Sequence, residues 1–100
     1  MVVQPIGAVV FEAAGQTYRI AASELTQQSP MKNSGGTYKN DADTWSVSFT
    51  ASHAVGQFTW LVYFSSGVNG ASLDTFELVK QPAGVEIINC IDFELLEDGQ

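Results

Sequence analysis

The chain is poor in the groups that most chemistry requires. Its 100 residues include one cysteine, one histidine and four Lys or Arg residues. A single cysteine closes no disulfide within the chain, which excludes a small secreted scaffold held by disulfides. One Cys and one His cannot supply the close set of four ligands that a structural zinc site needs. Duplex nucleic acid is held largely by Lys and Arg neutralising phosphates. Here Arg19, Lys32, Lys39 and Lys80 are scattered through a chain of formal net charge −7. Neither nucleic acid nor an anionic membrane surface is therefore an expected partner. No apolar run approaches the length of a membrane helix. The opening MVVQPIGAVVFEAAG has no basic residue ahead of its apolar stretch and is interrupted by Pro5 and Gly7. It does not read as a signal peptide, so a cytoplasmic protein is the default expectation.

What the chain has is apolar and aromatic material in a weakly charged background. It is 45% hydrophobic, 11% aromatic and 15% charged. That share of apolar residues is too high for a disordered chain and normal for a globular one. One hundred residues match one domain with one core, so residues 1–100 are expected to form a single β domain. With few charges available, Ser, Thr, Gln, Asn and Gly must cover the surface.

The dominant period is two. Trp45, Val47, Phe49 and Ala51 alternate with Ser46, Ser48 and Thr50, the pattern of a strand with one wet face. Phe58, Trp60, Val62 and Phe64 share a face of the next run. The intervening SHAVGQ, with Gly56 free to take a positive φ, makes an antiparallel hairpin. Val9–Glu12 and Thr17–Ile20 flank an Ala14-Gly15-Gln16 turn. Asp74–Val79 leads into the turn signal Gln81-Pro82-Ala83-Gly84, and Asn69-Gly70 marks another tight turn. The segment 85–96 reads as strand from its Ile and Val content. Asn89 stands at a candidate bulge, and a switch to helix near Phe93 is left open by the FELL run.

Ala21–Gln28 reads as one short helix, with a capping Ser23, an early Glu24 and Pro30 beyond it. Residues 29–43, SPMKNSGGTYKNDAD, have no period and read as a long exposed loop. The expected fold is thus all-β: an antiparallel sandwich or flattened barrel of about six strands with one short helix. Its core should comprise Phe11, Ile20, Trp45, Val47, Phe49, Phe58, Trp60, Val62, Phe76, Leu78, Ile87, Ile91 and Phe93.

Candidate chemistry is thin. His53 and Cys90 could pair as a nucleophile and base on composition alone. His53, however, falls at a turn, and Cys90 falls in an apolar strand where a free thiol acts as a small hydrophobe. Asn40-Asp41-Ala42-Asp43-Thr44 begins like a calcium loop but runs directly into Trp45. Asp92, Glu94, Glu97 and Asp98, or Glu77 and Glu86, offer carboxylates with no fixed separation, and the tail from Glu97 to Gln100 reads as a solubilising terminus. Gly35-Gly36 lacks the Lys-Ser/Thr that follows a phosphate loop. No catalytic residue, metal site or cofactor is expected.

The expected function is a non-enzymatic binding or protein-interaction domain. Opposite the core face of Phe58–Phe64 lie Leu61 and Tyr63, and opposite Ile87 lies Ile88. Large apolar groups on both faces of a strand need cover, and a second copy of the chain, as a twofold dimer, is the simplest. Leu61, Tyr63 and Ile88, with Tyr38 in the loop, are the candidate binding residues. The alternative is a small enzyme or a small-molecule or carbohydrate-binding barrel. It would use carboxylates and the aromatics Trp45, Trp60, Tyr18, Tyr38 and Tyr63.

Overall fold

The computed structural model describes residues 2–28, 30–38, 42–67 and 70–96, the side chains of 34–38 and 42 excepted. Within them ten strands form: β1 (Val2–Ile6), β2 (Ala8–Ala13), β3 (Gln16–Ala21), β4 (Thr26–Gln27), β5 (Lys32–Tyr38), β6 (Ala42–His53), β7 (Gly56–Gly67), β8 (Gly70–Lys80), β9 (Val85–Asn89) and β10 (Asp92–Leu96). The fold is all-β, with every pairing antiparallel.

The alternating segment that reads most clearly in the sequence builds the backbone of the fold. β6 and β7 pair along their whole length, from Asp43↔Ser66 to His53↔Gly56. β8 flanks β7 on one side, while β4 and β5 flank β6 on the other. The other sheet runs β3-β2-β9, and β1 pairs with β10. The β1–β10 and β2–β9 ladders are in step: Ile6 pairs with Asp92, and Phe11 with Ile87. β1–β2 is thus one bent strand lying against β9–β10, broken at Gly7 (φ +82°) and at Cys90-Ile91.

The two layers meet through aromatic rings. Phe11 of β2 lies 4.9 Å from Phe58 of β7, and Phe93 of β10 lies 4.9 Å from Phe76 of β8 and 5.4 Å from Phe49 of β6. Nine of the thirteen expected core residues are buried; Trp45, Phe76, Leu78 and Ile87 are half-buried against them. Val3, Val9, Ala13, Ala51 and Phe64 complete the core. Val3 is absent from the expected set because Pro5 and Gly7 look like chain breakers. Pro5 is instead accommodated in β1, opposite Phe93, since a strand with a free side tolerates a missing N–H.

Two expectations are corrected, and one alternative left open is closed. The helix over Ala21–Gln28 is a single 3-10 turn at Ala22–Glu24. Glu24 Oε2 accepts from the Ala21 N–H at 2.8 Å, so the early acid does bind the start of the turn, but the expected cap Ser23 lies inside it and Ala21 stands at the N-cap. Leu25 then turns extended, and Thr26 and Gln27 pair with Thr50 and Phe49 of β6. A ready-made sheet edge thus overrides a weak helical preference. The loop over 29–43 is largely strand: Lys32 and Asn33 pair with Ser46 and Trp45, and Thr37 and Tyr38 with Asp43 and Ala42. Ser34-Gly35-Gly36 takes up the register shift between these pairs; residues 29 and 39–41 lie outside the described set. The helical alternative near Phe93 is excluded, because β10 continues to Leu96.

Turn chemistry follows the sequence. Ala14 (φ +51°) and Gly15 (φ +79°) form the two-residue link between paired Ala13 and Gln16, as a type I′ hairpin requires. Gly70 and Gly84 both take positive φ; Asn69 of the expected Asn69-Gly70 turn lies outside the described residues. The expected bulge at Asn89 falls one residue earlier: Val10 pairs with Asn89 and Phe11 with Ile87, leaving Ile88 without a partner.

Candidate functional site

Alternation on β6 and β7 decides what each face of the wide sheet offers. Val47, Phe49, Phe58, Trp60, Val62 and Phe64 point into the core. The opposite face therefore carries Thr44, Ser46, Ser48, Thr50 and Ser52 on β6, and Thr59, Leu61, Tyr63 and Ser65 on β7. Leu61 sits between Ser48 and Glu77, and Tyr63 between Ser46 and Thr75. Both are half-buried and stand on an interior strand, ringed by hydroxyls and one carboxylate. At one end the Gln28 amide donates to Thr50 Oγ1 at 2.8 Å. At the other, buried Ser65 lies 3.3 Å from Ser72 Oγ and 3.4 Å from Asp74 Oδ1.

β8 carries two irregularities along this face. The ladder skips Asp74 between Tyr63 and Phe64, and Val79 between Thr59 and Trp60. Val79 is 49% exposed at the β8 margin of the face. Bulges of this kind kink an edge strand and spoil it as a template for another strand.

The candidate residues do not form one patch. Leu61 and Tyr63 share a face of β7, whereas Ile88 is on β9 in the other sheet, 52% exposed at its bulge. The backbone of Tyr38 pairs with Ala42 at the end of β5; its side chain lies outside the described set. The sequence did not point to exposed Val2, which faces exposed Leu96 across β1 and β10.

The aromatics proposed for sugar stacking are mostly committed elsewhere. Trp60 is 2% exposed and stacks on Phe58. Trp45 stacks on Phe64, and its Nε1 donates to Ser66 Oγ at 3.0 Å. Tyr18 stacks on Phe11, meets His53 edge-on, and donates to Gln16 Oε1 at 3.1 Å. Tyr63 is the one aromatic among these that the described structure leaves on an outer face. His53 Nδ1 accepts from the Val55 N–H of its own turn at 3.2 Å. Cys90, expected within a strand, is instead exposed in the break between β9 and β10. Among the described residues no three His, Cys, Asp or Glu side chains gather as a metal site would require. No helix there is long and apolar enough to cross a membrane.

Charge is divided unevenly between the two outer faces. Among the described residues, the outer face of the wide sheet carries Lys32 and Lys80 against Asp74 and Glu77 and is neutral on balance; Asp43 of β6 has the parity of the core-facing residues. Pointing away from the core on the other layer are Arg19 and four acids, Glu12, Glu86, Asp92 and Glu94. Glu12 and Glu86 lie directly opposite each other.

The fold thus defines the class as all-β, with several antiparallel sheets packed together as in a sandwich or flattened barrel. No family model, curated protein or solved structure matches the chain.

Proposed function

We propose that the protein is a non-enzymatic binding domain that works through the outer face of its wide sheet. The observation carrying this reading is the placement of Leu61 and Tyr63. They occupy an interior strand of that sheet, on the face away from the core, amid Ser46, Ser48, Thr75 and Glu77. Two large side chains set together among hydroxyls on a solvent-facing sheet form a contiguous apolar island, the kind of feature that marks a contact when it is left uncovered. An aromatic ring set in a hydroxyl-rich surface also supplies what interfaces favour: a rigid amphipathic anchor with a polar rim.

The test follows the backbone and methyl chemical shifts of the labelled protein, first through a dilution series that spans its association midpoint and then with a panel of oligosaccharides. Shifts confined to Ser46, Ser48, Leu61, Tyr63, Thr75 and Glu77 support the reading. Shifts confined to β9 and β10, or none in either series, overturn it.

A further inference from the structure

Taking that face as the binding surface, we infer that its occupant is a second copy of this chain, packed sheet face to sheet face about a twofold axis. Two routes to self-association are obstructed. Strand addition along β8 or β9 meets the bulges at Asp74, Val79 and Ile88. Packing through the other layer would bring Glu12, Glu86, Asp92 and Glu94 against the same four acids of the partner, with one Arg19 from each copy to offset them.

The wide sheet's outer face has neither obstacle. Lys32 and Lys80 are on it, and among the described residues they balance its Asp74 and Glu77. In a chain of net charge −7, a neutral face is where a second copy meets least repulsion. Its apolar groups also suit a twofold contact. Leu61 and Tyr63 are central and Val79 is at the margin, so the same patch serves both partners.

The area is adequate. β7 has 12 residues, which at about 3.3 Å each span about 40 Å. Four strands abreast at about 4.8 Å spacing span about 19 Å. The face therefore offers about 750 Å², close to the roughly 800 Å² per partner of a standard stable interface. Facing sheets pack with strands about 30° apart, so most of this area can be shared.

Light scattering and sedimentation of the full chain at micromolar concentration test the inference. Wild type should have twice the chain mass. Leu61→Glu should run at the monomer mass with its strand circular dichroism and melting transition retained, and Tyr63→Glu should do the same. Ile88→Glu, on the other layer, should stay dimeric. Added salt should tighten the wild-type dimer severalfold, because screening relieves the repulsion between two acidic chains; a dimer held mainly by ion pairs would loosen. A monomeric wild type overturns the second copy as occupant, and the oligosaccharide titration then decides the binding face by itself. A dimer that survives Leu61→Glu and is split by Ile88→Glu overturns both.

Discussion

Gly56 is where the two layers come closest in a way that one methyl group can report. It closes the β6–β7 hairpin opposite His53 and holds φ at +140°. A Cβ added there would sit 2.7 Å from Pro82 Cγ and 2.8 Å from Pro82 Cβ. Pro82 belongs to the link between β8 and β9, so the contact joins the hairpin tip to the chain crossing between layers. Gly56→Ala therefore carries two penalties. A side chain at this φ costs about 1–2 kcal/mol. Forcing Pro82 aside costs about 1–3 kcal/mol, as other overpacking substitutions do. Part of the second is relieved because Pro82 is only half-buried on a turn, so we expect a loss of about 2–4 kcal/mol. For a domain of this size that is a fall in Tm of about 10–20 °C. Chemical denaturation with and without Pro82→Gly separates the two. In the Pro82→Gly background, Gly56→Ala should cost about 1–2 kcal/mol less, while the φ penalty remains. A Gly56→Ala cost below about 0.5 kcal/mol would refute the close approach. So would an equal cost in both backgrounds.

Three other substitutions probe separate links. Trp60→Ala should cost about 3–5 kcal/mol in denaturant unfolding, since Trp60 is almost wholly buried against Phe58; an unchanged midpoint would show the register to be wrong. Ala14→Asn should raise stability by about 0.5–1 kcal/mol, because Asn tolerates the +51° φ that Ala holds before Gly15; a loss would rule out the type I′ geometry. Glu86→Lys should stabilise by about 0.2–1 kcal/mol at low salt by removing the like-charge pair with Glu12. That gain should shrink as salt is added, and a gain independent of salt would assign it to packing.

What could be read from the sequence was the part governed by local pattern. The β6–β7 hairpin, its Gly56 turn and the core from Val47 to Val62 follow from strict alternation, because a one-residue slip would turn the whole apolar set to solvent. β5 was missed because its strand character comes from its neighbour. Ser34-Gly35-Gly36 has no apolar period, and only the exposed edge of β6 gives Lys32–Tyr38 its hydrogen-bond partners. The helix at Ala21–Gln28 failed for the same reason at Thr26 and Gln27. On the candidate site, alternation placed Leu61 and Tyr63 on the outer face correctly. It could not show that Ile88 belongs to the other layer, since layer membership is a long-range property of pairing. Nor could it show that a bulge leaves Ile88 exposed, because a one-residue register shift leaves little trace in composition. Val2 was overlooked because its pairing with Leu96 joins the two ends of the chain.

The central claim is that the outer face of the wide sheet, centred on Leu61 and Tyr63, is the surface through which this protein binds another copy of itself. An isotope-filtered NOE experiment on an equal mixture of labelled and unlabelled protein addresses it at the level of atoms. The account predicts intermolecular contacts from the Leu61 methyls and the Tyr63 ring to side chains on β6, β7 and β8 of the partner. Intermolecular contacts from Ile88, Val2 or Leu96 in their place, or none at concentrations where the mass is dimeric, would contradict it.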